Sequence, residues 1–349
     1  MLAKIAAGAL SIGAGLSLGR EGPSIQIGAS AGIGISRWLG LDEEQEIYFL
    51  TAGASAGLAA AFNAPLAGAI FALEELHKKI TPEILVVIVG SSFSGMLVTR
   101  WTFGSTPLFH FAAFQPLSLN NYFVLIRLGI VCGLMGVLFN SSLIRSLDLF
   151  ARIHGKLNQY KIIIPVLFAI IIGFSLPEIL GGGESLVNSL GKNEYTLSFL
   201  VLLLITKFLF TMLSYGSGAS GGIFLPLLAI GALAGSVYAQ LVFPIAHISS
   251  GYLSDFILFA MAGIFASIVK APVTGSLLLI EMTGAFSQLY NVAIVSMLSY
   301  LVAYMLGSYP IYEQLLNRKM GYKAVRRDSP VIIWSGVKAE WGGLKVERK

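Results

Sequence analysis

Charge and cysteine are the two scarcest features of this 349-residue sequence. Only 12% of its residues are Asp, Glu, Lys or Arg, and 56% are hydrophobic, whereas about a quarter of the residues in a soluble domain are charged. This shortage excludes an ordinary water-soluble domain and indicates that lipid surrounds most of the chain. The one cysteine, Cys132, lies in an apolar run. It cannot form an intrachain disulfide, and we expect it to pack as a small buried hydrophobe.

Histidine is also scarce, and this limits the chemistry available. An intramembrane hydrolase needs a nucleophile with its base or a metal cluster, and the four histidines are dispersed without metal-ligand spacing. We therefore expect no enzyme, no metal and no cofactor. The net charge of +5 comes from thinly spread basic residues, which argues against a nucleic-acid partner.

Long apolar segments dominate the rest of the sequence. Several are too short to cross about 30 Å of hydrocarbon at 1.5 Å per residue, and others cross with length to spare. The sequence therefore predicts an all-α polytopic membrane protein with tilted and re-entrant helices. A secretory signal over residues 1–18 is disfavoured, because equally hydrophobic segments follow it. The segments lie near residues 5–18, 27–38, 50–73, 83–99, 122–150, 161–180, 196–214, 223–243, 254–282 and 290–307.

Basic residues cluster between certain of these segments and near the C-terminus, which marks the cytoplasmic side. We expect residues 1–319 to form the transmembrane domain and the polar, basic residues 320–349 to form a cytoplasmic tail. The basic clusters are His77 to Lys79, Arg145, Arg152, Lys156, Lys161, Arg318, Lys319, Lys323, Arg326 and Arg327.

An internal repeat divides the chain into two halves. Ala64–Gly68 followed by Glu74 matches Ala271–Gly275 followed by Glu281, with a constant spacing of 207 residues. Repeated halves with helices interrupted at corresponding positions are the sequence pattern of transporters whose site lies at the repeat interface. The alternative is chance similarity between glycine- and alanine-rich helices.

Two glycine- and proline-bearing turns, Gly19–Pro23 and Gly221–Pro226, each open a new hydrophobic segment. A helix that begins at membrane depth offers unpaired N–H groups to an anion. Glycine allows the close backbone approach, and proline suits the first helical turn. These turns predict a binding site for a small anion.

Glu21 is the unusual member of the first turn, because a carboxylate beside an anion site competes for the same amides. Protonation would release that carboxylate, so its charge state and site occupancy are linked. This arrangement predicts coupled movement of protons and anions. The alternative is a helix-capping glutamate with only a dipole role of about 0.3–1 kcal/mol.

Glu74 and Glu75 stand at the end of an apolar helix. Adjacent residues of an α-helix point about 100° apart, so only one of the two carboxylates needs to face the protein. For Glu74 and its repeat counterpart Glu281 we expect buried, hydrogen-bonded structural roles. The alternative for the pair is a solvated helix end before the basic residues.

Four short stretches, the second of them together with Glu74–Glu75, resemble the CLC family of chloride channels and chloride/proton antiporters. They occur in the family's order and cover roughly residues 3–319. The stretches are Gly19–Pro23, Ala59–Gly68 with Glu74–Glu75, Gly221–Pro226 and Pro310–Tyr312.

This resemblance implies two inverted repeats and assigns roles by position. Glu21 matches the gate and outer proton carrier, and Glu75 matches the inner proton acceptor of the antiporters. Tyr312 matches a tyrosine that donates one hydrogen bond to the central anion; its alternative role is an interfacial aromatic anchor. The positions implied as anion ligands are Arg20, Glu21, Gly22, Gly222, Ile223, Phe224 and Tyr312.

The expected function is chloride transport coupled to proton antiport, because many channel members carry an apolar residue where this chain has Glu75. A passive voltage-gated-type chloride channel is the first alternative. The family's glycine-serine selectivity stretch is absent, so we expect an N-terminally truncated protein, and a non-conducting remnant is the second alternative. The expected partners are chloride, protons, membrane lipid and a second copy of the chain, which contacts the first through residues 83–99 and 290–307. The expected location is an inner or plasma membrane of bacterial type.

Overall fold

The structure is a computed structural model that describes residues 2–77, 81–104, 107–111, 114–115, 117–118, 121–191 and 195–320. Within these ranges the chain forms fourteen α-helices and no β-strand, which confirms the predicted all-α class. The predicted tail beyond residue 320 lies outside the described residues. The helices are α1 Leu2–Gly13, α2 Glu21–Trp38, α3 Glu43–Phe62, α4 Pro65–Phe71, α5 Pro82–Phe103, α6 Tyr122–Ala151, α7 Ile163–Ser175, α8 Glu184–Leu190, α9 Leu197–Gly216, α10 Phe224–Ala246, α11 Leu253–Val269, α12 Pro272–Thr283, α13 Leu289–Met305 and α14 Ile311–Lys319.

The chain is divided into two compact units. Residues up to Ser308, with helices α1 to α13, form the first unit, and the second begins at Tyr309 and contains α14. One π-helical turn, Ala72–His77, continues α4. Short 3-10 turns cover Gly155–Tyr160, Pro177–Ile179, Ser250–Tyr252 and Phe286–Gln288.

Seven helical segments of the described chain are long and apolar enough to cross a membrane, which confirms the prediction of an integral membrane protein. By contrast, α4 and α8 have seven residues each. At 1.5 Å per residue each of these α-helices extends only about 10 Å, which is too short to cross about 30 Å of hydrocarbon. The seven segments are Pro82–Phe103, Tyr122–Ala151, Leu157–Ser175, Leu197–Gly216, Phe224–Ala246, Ser250–Val269 and Phe286–Met305.

The internal repeat is reproduced in the backbone. Asn63 ends α3 in the left-handed conformation with φ 54°, and Lys270 ends α11 in the same way with φ 71°. The next residues, Ala64 (φ −126°, ψ 81°) and Ala271 (φ −118°, ψ 76°), turn the chain alike. The proline that follows each alanine then opens a new helix, α4 or α12, because its fixed φ and missing N–H suit a first turn. Both halves thus interrupt their helices at equivalent positions of the repeat.

Small residues let neighbouring helices approach closely. A Cβ atom added to Gly28, Gly32 or Gly53 would overlap a backbone carbonyl oxygen of the facing helix in the α2–α3 pair. Likewise, a Cβ on Gly231 or Gly235 would meet α11 backbone at 2.8 or 2.7 Å. Close contact through glycine is how membrane helices gain packing energy without a hydrophobic driving force.

The link between α2 and α3 is fixed by local polar contacts. Asp42 and Gln45 form a capping box at the start of α3. Arg37 donates two hydrogen bonds to the carboxylate of Glu46, over 3.0 and 2.9 Å. This exposed pairing with the guanidinium lowers the pKa of the Glu46 carboxyl from its ordinary value. The chain reversal therefore positions α2, whose other end begins in the turn Gly19–Pro23.

Candidate functional site

The starts of α2 and α10 are joined by an antiparallel backbone pair. The N–H of Gly19 donates to the carbonyl of Gly222 over 2.7 Å, and the N–H of Gly222 donates to the carbonyl of Gly19 over 2.8 Å. Gly22 packs on the same pair, since a Cβ atom there would lie 3.4 Å from the Cα of Gly222. The structure therefore brings together the two turns that the sequence singles out.

The Glu21 side chain is enclosed at this junction. It is 1% exposed, and within the described part of the chain neither carboxyl oxygen has a hydrogen-bond partner. A Cβ atom on Gly19 would overlap its Oε2, and one on Gly222 would lie 3.1 Å from the same atom. The two glycines thus leave the space that the carboxyl group occupies. A buried carboxyl group without partners is costly and is a functional candidate by default.

In the second turn, the side chains are occupied by packing. Ile223 is the N-cap of α10 and is 1% exposed. The Phe224 ring lies 4.6 Å from the ring of Phe62 and 5.2 Å from that of Phe265, measured between centroids. Because these side chains are apolar and enclosed, the backbone N–H groups are the only donors that Ile223 and Phe224 can offer. First-turn N–H groups of a helix have no intrahelical acceptor.

The Arg20 side chain pairs with Glu184. Arg20 is the N-cap of α2, and its guanidinium lies 3.5 Å from the carboxylate of Glu184 with half of the side chain exposed. A partly exposed ion pair of this length contributes little to stability. Sequence reasoning missed Glu184; the signal available was its position directly after the three glycines 181–183.

Each half of the repeat supplies a glutamate that caps a helix of the other half. Glu74 accepts hydrogen bonds from the Thr274 N–H over 2.8 Å and from the Thr274 hydroxyl over 2.6 Å. Glu281 accepts from the N–H groups of Leu66 over 3.1 Å and Ala67 over 2.7 Å. These contacts satisfy first-turn donors of α12 and α4, as expected for structural, hydrogen-bonded glutamates.

Glu75 lies in the π-helical turn Ala72–His77 and is half-buried. The sequence-based expectation of α-helical geometry at Glu74 and Glu75 is wrong, because the backbone widens there. Single π-helical turns occur frequently at functional sites and change the direction of side chains. The role of Glu75 in proton transfer stays a prediction.

Tyr312 is the second residue of α14, whose N-cap is Pro310. It belongs to the second compact unit, which starts at Tyr309. The hydrogen bond that the family resemblance implies from its phenol to an anion stays a prediction.

Among the described residues, no three His, Cys, Asp or Glu side chains lie close enough together to hold a metal ion. Lys270 places its ammonium nitrogen 5.2 Å from the centre of the Tyr300 ring, which is a cation–π contact.

Interrupted helices in two related halves, with two helix starts meeting around a buried carboxyl group, define the class of two-repeat membrane transport proteins. The sequence profile of the family described as "Voltage gated chloride channel" matches residues 1–304. This chain belongs to that family.

Two bacterial relatives are each named H(+)/Cl(-) exchange transporter ClcA. The protein from Vibrio parahaemolyticus is 34% identical over 91% of this chain and 69% of its own length. The protein from Vibrio cholerae is 35% identical over 92% of this chain and 70% of its own length.

Solved structures share the fold. The crystal structure of a slow cyanobacterial Cl-/H+ antiporter superposes with a TM-score of 0.83 at 32% identity, over 90% of this chain and 75% of that one. The crystal structure of a eukaryotic CLC transporter superposes with a TM-score of 0.73 at 24% identity, over 87% of this chain and 53% of that one. The second comparison supports the fold alone.

Proposed function

We propose that this chain moves chloride across the membrane in exchange for protons, with Glu21 as the gate. The observation that carries the proposal is the Glu21 carboxyl group, which is buried and without a partner among the described residues, at the junction of the α2 and α10 starts. A carboxylate and a chloride ion are both anions, and helix starts favour either one. The positive ends of the two helix starts would therefore stabilise either one at this junction.

The physical basis of anion binding is backbone polarity. The first amides of α10, at Ile223 and Phe224, lie beside the Gly19–Gly222 pair. A helix start carries about half a positive charge, concentrated on its free N–H groups. In a site shielded from water, these dipoles stabilise an anion without a basic side chain. We propose Arg20, Glu21, Gly22 and Gly222 as the other contacts of the pathway, with Tyr312 as a side-chain donor.

Proton coupling follows from competition at one position. Charged Glu21 occupies the anion position, and chloride can enter only when the carboxyl group is protonated and displaced. One proton movement is thereby tied to anion occupancy. We propose that Glu75 exchanges protons with the opposite side of the membrane. The ClcA relatives and the cyanobacterial antiporter are named as exchangers, and this agrees with coupling.

The decisive experiment reconstitutes the full chain in liposomes and records chloride and proton fluxes together. Glu21→Gln mimics the protonated carboxyl group, so we expect chloride flux to continue and proton flux to stop. Glu44→Gln is the matched control, because Glu44 is an exposed glutamate at the start of α3. Its fluxes should equal those of the unaltered chain.

Alternative functions give different results in the same liposomes. A passive chloride channel sets the reversal potential at the chloride equilibrium value under any proton gradient. A non-conducting remnant gives no flux of either ion. Either result from the unaltered chain rejects the exchange proposal.

We also propose that residues 1–319 act as one transport domain, that residues 320–349 lie in the cytoplasm, and that two copies associate. The candidate contact surfaces carry exposed apolar side chains on α5 and α13. The dimer is tested by crosslinking through introduced cysteines. Suitable positions are Val86 and Val98 on α5 and Met297 and Leu301 on α13, whose side chains are all at least 49% exposed. Exclusively monomeric protein in bilayers would reject it.

A further inference from the structure

A polar stripe runs along one face of the apolar helix α9. Lys207, Thr211 and Ser214 follow each other at helical spacings of four and three residues, and all three are fully buried. Residues at this spacing share one face of a helix. Polar groups at membrane depth are expensive and occur where they pair or serve a function.

Lys207 holds a loop that we call the glycine turn, Ile179–Glu184. Its ammonium nitrogen donates to the carbonyl of Ile179 over 2.8 Å and to the carbonyl of Gly181 over 2.7 Å. Gly181 and Gly183 have φ of 66° and 99°, a left-handed conformation that glycine adopts at little cost. No carboxylate of the described residues forms a salt bridge with Lys207. The side chain is thus used for hydrogen bonding to backbone.

The glycine turn packs on α10 and on the residue directly before the first turn. A Cβ atom on Gly182 would lie 3.2 Å from the Cβ of Leu225 in α10 and 3.4 Å from the carbonyl oxygen of Leu18. The next residues lead to Glu184, which pairs with Arg20 in the first turn. Lys207 therefore acts on a loop that touches each half of the candidate site.

The other members of the stripe hold the chain just before Gly19. The N–H of Ser17 donates to the hydroxyl of Ser214 over 3.1 Å. The hydroxyls of Ser17 and Thr211 lie 2.8 Å apart. One face of α9 thus holds both the glycine turn and Ser17, which lies just before the turn Gly19–Pro23.

We propose that Lys207 is a positioning residue for anion binding: it holds the glycine turn in the conformation in which Gly182 packs against Leu225 of the second turn and the Leu18 carbonyl, and in which Glu184 pairs with Arg20 of the first turn. This inference rests on the proposed function. Without the clamp, the carbonyls of Ile179 and Gly181 lose their donor, and the glycine turn relaxes because its glycines allow many conformations. The amides of both helix starts then lose their fixed geometry toward the anion.

The test measures chloride binding to the purified full chain by isothermal titration calorimetry, with thermal unfolding recorded in parallel. Lys207→Met removes the donor and keeps the apolar length, and we expect it to weaken chloride binding roughly tenfold. Lys207→Arg retains donors and should bind chloride within about twofold of the unaltered chain. Leu203→Ala, at a buried site one turn earlier on α9, is the control for destabilisation and should leave the chloride affinity unchanged.

A double-mutant cycle identifies the route of the effect. If Lys207 acts through the glycine turn on Glu184, then Glu184→Gln alone should weaken chloride binding, and the combination with Lys207→Met should bind chloride no more weakly than Lys207→Met alone. Lys207→Gln serves if the methionine variant does not fold. Its shorter side chain cannot reach both carbonyls, so it should weaken binding in the same direction.

The outcomes separate this inference from the proposed function. If the unaltered chain binds no chloride, the proposed function fails and the inference fails with it. If the unaltered chain binds chloride and Lys207→Met lowers only the unfolding temperature, Lys207 is a structural residue and the positioning role is rejected. A fall in affinity for Lys207→Met, with rescue by Lys207→Arg, supports the positioning role.

Discussion

Glu74 accepts two hydrogen bonds from Thr274, a residue of the other half of the repeat, 200 positions further along the chain. Glu281 returns the same kind of contact to the first half. The two halves are therefore joined by reciprocal caps between polar groups that lipid cannot solvate. These caps lie at the starts of α4 and α12, so they belong to the frame that holds the candidate site.

Removing either cap should destabilise the protein without altering coupling. We expect Glu74→Ala and Glu281→Ala each to cost about 0.5–2 kcal/mol, the usual range for loss of a helix cap. Thermal unfolding in detergent measures the loss, and Glu43→Ala, at an exposed first-turn position of α3, is the control. A changed proton-to-chloride ratio in the folded variants would show that these glutamates serve transport directly.

Gly19→Ala should collide with the Glu21 carboxyl group, because the added Cβ overlaps Oε2. The carboxyl group is then displaced, so we expect chloride flux to persist with reduced proton coupling. In a Glu21→Ala background the same substitution should have little further effect. Gly34→Ala, where no atom lies within 4 Å of the added carbon, is the control and should be neutral or stabilise by about 0.5–1 kcal/mol. Equal effects of Gly19→Ala in both backgrounds would contradict the assigned position of Glu21.

Phe224→Leu tests whether the second turn offers its backbone or its side chain. The ring packs on Phe62 and Phe265, so we expect the substitution to lower the free energy of unfolding. The loss should be smaller than the roughly 3–5 kcal/mol that truncation of a buried phenylalanine to alanine costs. Chloride affinity should change less than about threefold, since the amide is retained. A larger loss of affinity, with the fold intact by circular dichroism, would assign the ligand to the ring.

Glu75→Gln should stop proton movement and leave chloride flux. The neutral amide cannot carry a proton, and it preserves the size of the side chain in the π-helical turn. Liposome fluxes under a proton gradient provide the measurement, with Glu44→Gln as control. Continued uphill proton transport would remove Glu75 from the route.

Local signals made much of the fold predictable from sequence. Glycine and proline mark the helix breaks at Gly19 and Gly222, and alanine-proline pairs mark those after Asn63 and Lys270. Conformational limits of these residue types act within a few positions, so they are readable without tertiary information. The apolar run 50–73 nevertheless reads as one segment, although the structure divides it into α3 and α4.

Contacts between distant segments were not predictable. The partners of Lys207 and the pairing of Arg20 with Glu184 depend on how loops pack in three dimensions. The widening of the helix at Glu75 likewise follows no local residue preference. One sequence specifies such contacts only through the whole fold.

The central claim is that backbone amides at two helix starts bind the anion and that Glu21 competes for the same place. Crystals of the unaltered chain and of Glu21→Gln, both soaked in bromide, test it through anomalous scattering. We predict a peak against the amides of Ile223 and Phe224 in both, and a second peak in Glu21→Gln where the carboxylate oxygens otherwise lie. Bromide bound only to basic side chains, or absent from both turns, would contradict the claim.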